Sequence, residues 1–302
     1  MKMYFTSVSD SKHLDFLLEN NCCNILISFL EKTKIKKLID LHNPDINIFI
    51  DSGAFSAFTR GTHIDIDEYI EFINLVHDNV ELYASLDVIP SSNSLESVKS
   101  STIETWENYL YMRERVIDKD KLVVTFHYGE DYSELKKILN YEDEYGKVKY
   151  LALGGIAKIP MASRGVFIDT VYKIIKECGR TDIKIHLFGV TDVGICKEYG
   201  GTSTDSTTWV RAAAFGELCT SYGRLVVSET RKLSNNHLYN NPISIQKDII
   251  KEIESYGIPF EDLVKDTKSR ELFNIMYFYK NTKDIPGAYY NKVCVKKVSL
   301  WE

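Results

Sequence analysis

Several features that define membrane, secreted or zinc-binding proteins are missing from this sequence of 302 residues. No apolar run reaches the roughly 18 residues that a membrane-spanning helix needs. The first residues turn polar at Thr6 and lack the apolar core of a secretion signal. We therefore expect no membrane span and a cytoplasmic location.

Cysteine is scarce, and its spacing suits neither a metal site nor a disulfide framework. Two of the cysteines are adjacent, and no two have the C-x-x-C spacing that is typical of zinc and redox sites. Without a secretion signal, we expect reduced thiols that are mostly buried, and no structural zinc. The six cysteines are Cys22, Cys23, Cys178, Cys196, Cys219 and Cys294.

An excess of basic charge is also missing. The net charge of −6 counts against a protein that holds nucleic acid mainly through its phosphates. The charge is uneven, because residues 231–302 carry twelve Lys or Arg and nine Asp or Glu, a net of +3, which leaves −9 for the first 230 residues. The tail is either a surface that contacts a nucleic-acid backbone or a solvated helical cap, and both interpretations stay open.

What the chain does contain is a series of short apolar runs separated by longer amphipathic stretches. Each run has the length of a strand and is almost continuously apolar, as in strands buried on both faces. The stretches Asp67–Val76 and Phe167–Ile175 between them have helical spacing. About eight such units predict an α/β fold, a TIM-type (β/α)8 barrel with a parallel sheet. The runs are Met3–Thr6, Asn24–Phe29, Ile46–Ile50, Leu82–Leu86, Leu122–Phe126, Tyr150–Leu153, Ile183–Phe188 and Leu225–Val227.

The pattern changes after Thr230, where a polar, Asn-rich loop leads to two helix-like stretches, Ile243–Tyr256 and Ser269–Tyr279. We therefore predict a barrel domain over residues 1–230 and a C-terminal helical extension over residues 231–302 that packs on the barrel. The aromatic-rich segment Phe273–Tyr279 is expected in the core. The stretch Gly201–Trp209 is too polar to be assigned to a strand.

Five of the apolar runs lead directly into residues with chemical or conformational importance: Asp51, Asp87, His127, Gly154 and Gly189. In a β/α barrel the carboxyl ends of all strands meet on one face, where active sites lie. The sequence therefore predicts an active site built from these strand ends.

Two aspartates at strand ends have both a functional and a structural interpretation. Asp51, in the segment Asp51-Ser52-Gly53-Ala54-Phe55-Ser56, either points into a cleft or caps the next helix. Asp87 is embedded in apolar sequence, so it either faces a polar pocket or forms a buried ion pair. In a pocket, its carboxylate can accept two N–H bonds from a guanine edge.

A third aspartate and two glycines are also ambiguous. Asp205 lies among hydroxyl groups that can keep its carboxylate ionised, as a nucleophile requires, or it caps a helix over Trp209–Leu218. Gly154 and Gly155 either let a flat ligand approach the main chain or form a tight turn.

Two histidines and a glutamate complete the candidates. His127 and Glu130 can serve in acid–base chemistry or in orienting a substrate. His186 lies inside a strand run, where a histidine more often packs than reacts.

Taken together, the motifs resemble those of the tRNA-guanine transglycosylase superfamily, over roughly residues 46–216. The shared order is Asp51-Ser52-Gly53, then Asp87, then Gly154-Gly155, then Asp205. Other pieces resemble the shorter branch of bacteriophages and DNA-modification islands: Phe126-His127-Tyr128-Gly129-Glu130, His186-Leu187-Phe188-Gly189 and Ser203-Thr204-Asp205-Ser206-Thr207-Thr208-Trp209.

The resemblance implies a TIM barrel that exchanges guanine in a nucleic acid for a 7-deazaguanine, with no cofactor and no metal. It implies that Asp205 is the covalent nucleophile and that Asp51 is the second catalytic aspartate, linked to proton transfer. Substrate recognition is expected from Asp87, Gly154, Gly155, Ser52, Phe55, His127, Glu130 and His186. His127-Tyr128-Gly129 stands where the tRNA enzymes have Gln-Gly-Gly, so His127 or Glu130 is expected to make the matching base contact.

The zinc site of the tRNA enzymes, three cysteines and a histidine, has no counterpart, because only Cys219, Cys294 and His237 follow Asp205. This favours DNA over tRNA as the partner, with the free 7-deazaguanine base as second substrate; accessory proteins and a homodimer stay open. The alternatives are the same reaction on tRNA, a glycosidic-bond hydrolase that uses two carboxylates, and a barrel that binds a purine or nucleic acid without catalysis.

Overall fold

The computed structural model describes residues 1–8, 10–157 and 159–290. Cys294 and the end of the predicted extension, residues 291–302, lie outside this part of the chain. Eight parallel strands form a closed barrel, which confirms the predicted TIM-type α/β fold. The strands follow chain order around the barrel, and the last pairs with the first, with Tyr4 beside Asp205.

Each predicted apolar run except the last forms a barrel strand. The barrel strands are β1 (Lys2–Phe5), β2 (Asn24–Ser28), β3 (Asn47–Asp51), β4 (Leu82–Ala84), β5 (Leu122–His127), β8 (Tyr150–Gly154), β9 (Lys184–Leu187) and β10 (Ser203–Ser206). Two antiparallel hairpins lie outside the barrel: β6 (Glu142–Asp143) with β7 (Gly146–Lys147), and β11 (Glu217–Thr220) with β12 (Gly223–Val226).

Helices follow the strands and cover the outside of the barrel. In the described residues they are α1 (Ser11–Glu19), α2 (Lys32–Ile39), α3 (Ala54–Arg60), α4 (Ile66–Val76), α5 (Leu95–Arg115), α6 (Tyr132–Asn140), α7 (Met161–Glu177), α8 (Val193–Tyr199), α9 (Thr208–Ala214), α10 (Ile243–Glu254), α11 (Phe260–Lys265) and α12 (Thr267–Thr282).

The eighth strand differs from the prediction. Leu225–Val227 falls in the β11–β12 hairpin and its exit, not in the barrel, and the barrel is closed instead by the polar strand β10. All four residues of β10 are buried. Its hydroxyl groups find partners: Thr204 Oγ1 donates to the carbonyl oxygens of Leu187 and Val190, both at 2.8 Å. A polar strand can therefore lie in the core, because its polar atoms are hydrogen-bonded.

The core has two parts, because strand residues alternate between the two faces of the barrel wall. The larger part packs the outer wall against the helices, and it includes Phe273, Ile275, Tyr277 and Phe278 of the segment expected in the core. The smaller part fills the barrel with Tyr4, Leu26, Phe49, Leu82, Ala84, Val123, Tyr150 and Ala152. These side chains fill the interior, so a site within the barrel is expected at the carboxyl ends of the strands.

The long C-terminal helix α12 packs on the barrel wall. The buried Asn274 amide donates to the backbone carbonyl oxygen of Trp209, at 3.0 Å, and accepts from the backbone N–H of Cys219, at 2.8 Å. Glu271 contacts the buried His13 of α1, with 2.8 Å between the carboxylate and Nε2. The division into two domains at residue 230 stays a prediction.

Among the described residues, no helix is both long and apolar enough to cross a membrane.

Candidate active site

The side chains predicted from strand ends meet at the carboxyl end of the barrel. Asp51 is the last residue of β3, His127 is the last residue of β5, and Gly154 is the last residue of β8. Asp205 lies within β10, and Asp87 follows β4 by three residues. A barrel carries these strand ends to the same face, and Asp87 contacts both His127 and Ser52, the residue after Asp51.

Asp51 lies at the centre of this acidic group. Its Oδ2 accepts the backbone N–H of Gly53 at 3.0 Å, so it does not cap α3, whose N-cap is Gly53 itself. Burial, together with the charge of Asp87 and more weakly that of Asp205, raises the pKa of Asp51 to about 7, against the opposing effect of the Gly53 hydrogen bond. Asp51 can therefore gain or lose a proton near neutral pH.

Asp87 is fixed from two sides. Its Oδ1 accepts the hydroxyl of the fully buried Ser52 at 3.0 Å, and its Oδ2 lies 3.2 Å from Nε2 of His127. The other imidazole nitrogen, Nδ1, lies 2.9 Å from Oε1 of Glu130. Asp87 thus forms an ion pair, as one of its two interpretations expects, and its partner His127 is itself a residue of the candidate site.

His127 carries the positive charge of this cluster. Burial alone would lower the pKa of its imidazole, but the hydrogen bonds and charges of Asp87 and Glu130 raise it to about 10. The ring is therefore an imidazolium at neutral pH, and both of its N–H groups are directed at carboxylates. It holds Asp87 in place and offsets part of the local negative charge.

Gly154, the last residue of β8, and Gly155, which follows it, occupy positions where a side chain would not fit. A Cβ atom on Gly154 would lie 2.5 Å from Cδ2 of His127, so any other residue would displace the imidazole. Gly155 has a φ of 74°, which side-chain-bearing residues rarely adopt. The imidazole of His127 fills the space beside Gly154, and the backbone nitrogen of Tyr128 lies 3.3 Å from the Cβ position of Gly155, so the two glycines allow β8 to pack closely against the end of β5.

Asp205 is held in the barrel wall and does not cap α9, which begins at Thr208. Its Oδ1 accepts the backbone N–H of Gly189 at 2.6 Å, and its side chain is 12% exposed. Oδ1 is also the oxygen nearest to His186.

His186 lies one layer below Asp205 and is fully buried. Its ring is packed among the rings of Phe188, Phe49 and Tyr4, with centroids 4.5, 5.0 and 6.1 Å away. Nδ1 lies 2.8 Å from Oγ of Ser203. Nε2 lies 3.3 Å from Oδ1 of Asp205 but outside hydrogen-bonding geometry, and among the described residues it has no hydrogen-bond partner.

Phe55 lies at the rim. It is on the first turn of α3, and its side chain is 51% exposed. Next to Asp87 a cleft of about 400 Å³ opens between α3 and α5, lined in part by Phe58, Ile89 and Asn108. Flat apolar surface and free volume therefore adjoin the residue expected to bind the base.

The contacts of two residues in this site are not evident from the sequence. Gly189, one of the predicted strand ends, donates its backbone N–H to Oδ1 of Asp205. Ser203 is two residues before Asp205, and the period of two along a strand puts both side chains on the same face of the barrel wall. That signal was hidden because the polar sequence did not identify β10 as a strand.

Within the described ranges, no group of three or more His, Cys, Asp or Glu side chains is arranged to hold a metal ion. No model of a protein family matches this sequence, and no curated protein matches it. Function must therefore be inferred from the chemistry of the residues at the barrel mouth.

Proposed function

We propose that this protein is a DNA-guanine transglycosylase that replaces guanine with a 7-deazaguanine through a covalent bond to Asp205. One observation carries the proposal: Asp51, Asp87 and Asp205 come from three strands to one end of the barrel, close enough that the latter two help to raise the pKa of Asp51 to about 7. The order of motifs that resembles the transglycosylase superfamily assigns these same residues.

Recognition of the base is attributed to Asp87 and to the backbone of Gly154 and Gly155. Each carboxylate oxygen has two lone pairs, so Asp87 can accept the N1–H and N2–H groups of guanine while Ser52 and His127 hold it. The imidazolium of His127 offsets part of the negative charge beside Asp87.

In the first half of the proposed reaction, Oδ2 of Asp205 attacks C1′ of the nucleotide. The C1′–N9 bond breaks, its electron pair moves to the departing guanine, and Asp51 supplies a proton to that base. A pKa near 7 suits this step, because a protonated carboxyl group is then available at neutral pH.

In the second half, N9 of the incoming 7-deazaguanine attacks C1′ and loses its proton to Asp51. The bond between C1′ and Oδ2 breaks, and the electron pair returns to the Asp205 carboxylate. Two inversions at C1′ give net retention, as in retaining glycosidases, and the kinetics are ping-pong.

DNA is proposed as the macromolecular substrate because the segments around His127, His186 and Asp205 resemble the bacteriophage and DNA-modification branch. The target guanine must leave its stack to reach Asp205, which costs a few kcal/mol and less in a single strand. We therefore expect single-stranded DNA to react faster than duplex DNA of the same sequence.

The test incubates the protein with single-stranded DNA, duplex DNA or tRNA and an isotope-labelled 7-deazaguanine, followed by mass spectrometry of nucleosides. We expect label in DNA and a DNA–protein adduct that survives denaturation. Asp205→Asn should abolish both. Asp131→Asn is the matched control, since it neutralises an exposed N-cap of α6 and keeps a capping residue.

The other outcomes separate the rival functions. Label in tRNA but not in DNA would reject the proposed substrate. Release of free base without incorporation would indicate a hydrolase. DNA binding with no adduct, unchanged in Asp205→Asn, would indicate a barrel that binds without catalysis.

A further inference from the structure

His186 has a role that the proposed reaction leaves open. It is fully buried among three aromatic rings, yet its Nε2 has no hydrogen-bond partner in the described part of the chain. Buried polar atoms in folded proteins are nearly always hydrogen-bonded, so such an atom needs an explanation. Oδ1 of Asp205 lies 3.3 Å from this nitrogen.

The neighbours of His186 indicate which nitrogen carries the proton. Nδ1 lies 2.8 Å from Oγ of Ser203, whose hydroxyl can donate to it. The side chain of Tyr150 in turn contacts Ser203, and burial raises the pKa of Tyr150 to about 12, so its hydroxyl is a donor at neutral pH. A proton on Nε2 also avoids a repulsive contact between a lone pair and the Asp205 carboxylate.

We infer that His186 is a positioning residue for Asp205, whose Nε2–H stabilises the carboxylate as it leaves C1′ in the second half-reaction. This inference rests on the proposed function. Tyr150, Ser203 and His186 form a chain of polar groups that runs up the barrel interior to Oδ1, while the N–H of Gly189 holds the same oxygen.

The chemistry of the glycosyl ester explains why the contact matters there. In the ester, Oδ2 is bonded to C1′ and the side chain of Asp205 has no charge. As the C1′–Oδ2 bond breaks, negative charge returns to both oxygens. The N–H of Gly189 already donates to Oδ1, and Nε2 of His186, at 3.3 Å, needs only a small reorientation to donate to it as well. Loss of the donor should therefore slow breakdown of the ester more than its formation.

The experiment compares the fraction of protein held as covalent DNA adduct and the rate of its breakdown after a 7-deazaguanine is added. His186→Phe keeps an aromatic ring among Tyr4, Phe49 and Phe188 but removes the donor. We expect breakdown to slow by about 10- to 100-fold, with a larger adduct fraction. His186→Gln, which retains a donor, should restore part of the rate.

Ser203→Ala provides a second variant in case His186→Phe does not fold. It leaves the imidazole and its packing in place but removes the hydroxyl that fixes the tautomer, so breakdown should slow by a smaller factor. Tyr4→Phe is the control, because its hydroxyl bonds Glu81 below the site and the ring still packs against His186.

A purely structural role predicts that formation and breakdown fall together and that the adduct fraction does not rise; this result would overturn the inference while the proposed function stands. An unchanged breakdown rate in both His186→Phe and Ser203→Ala would do the same. If the unmodified protein forms no adduct, the proposed function itself fails.

Discussion

At the scale of single residues, the ionisation of Asp51 connects catalysis with stability. Burial, Asp87 and Asp205 raise the pKa of this carboxyl to about 7. Below that pH it is protonated and can supply a proton to a departing base. Above it, the same group is a partly buried carboxylate beside two others, which disfavours the folded state.

The first prediction concerns the pH dependence of adduct formation. Because Asp51 must be protonated to assist the departing guanine, the single-turnover rate at saturating DNA should fall as pH rises through about 7. Asp87→Asn removes a charge that raises this pKa, so the inflection should move to lower pH on the remaining activity. A single-turnover rate that does not change between about pH 5 and about pH 9 would contradict the role of Asp51.

The second prediction is that Asp51→Asn stabilises the protein at alkaline pH while it abolishes exchange. The folded-state pKa of about 7 lies above the ordinary value of 3.8, so ionisation is unfavourable for folding, and the penalty grows as pH rises between these values. Urea unfolding should show a gain of roughly 2–4 kcal/mol at pH 8 and a smaller gain at pH 5. An equal gain at both pH values would show that the effect is not electrostatic.

At the scale of elements, the strands differ in how clearly the sequence identifies them. Seven barrel strands are apolar runs such as Leu122–His127, where burial on both faces leaves an unmistakable pattern. Strand β10 is polar and therefore lacks this pattern. It can still lie in the core because its polar atoms are hydrogen-bonded. The apolar run Leu225–Val227 lies in hairpin strand β12 and just after it, where it packs against other parts of the core. Its apolar composition is the same as that of a barrel strand, so composition alone predicts one there.

The candidate site was predictable to the extent that it lies at strand ends. Asp51, Asp87, His127 and Gly154 follow apolar runs, and the barrel topology then brings them together. The contacts of His127 with two carboxylates and of Asp205 with Gly189 depend on distances between strands that no local pattern encodes. Helix α11 was not predicted, because its six residues are too few for a periodic pattern.

The third prediction tests how a polar strand is held in the core. Thr204→Val keeps the side-chain volume of β10 but removes the hydroxyl that donates to the carbonyl oxygens of Leu187 and Val190. We expect a loss of about 1–3 kcal/mol in the free energy of unfolding, measured in urea. Thr170→Val is the matched control: this hydroxyl donates to a carbonyl within α7 on the surface, so its loss should cost under about 0.5 kcal/mol.

At the scale of the whole molecule, the C-terminal helices and the barrel are joined by buried polar contacts. Arg270 donates to the carbonyl oxygens of Ala213 and Leu263, and Asn274 bonds Trp209 and Cys219. Separation of α12 would leave these groups without partners and would expose the apolar surface that Phe273 and Phe278 cover.

The fourth prediction follows from these contacts. A fragment of residues 1–230, the domain suggested by sequence alone, should not fold by itself, because α12 completes the packing around α9 and β11. Circular dichroism and urea titration of the fragment should show no cooperative transition, whereas the full chain should show one. A fragment with a native-like cooperative transition would support an independent 1–230 domain instead.

The pairing of β10 with β1 has a consequence for when the protein becomes reactive. Asp205 takes its position only once strand β10 has paired with β1, which places it beside Tyr4. These two strands are the first and the last of the barrel, so their contact joins segments that are far apart in the sequence. In a chain whose barrel has not closed, Asp205 therefore lies on an undocked strand, apart from Asp51 and Asp87. Under the proposed function, such an immature chain should be inert towards nucleic acid.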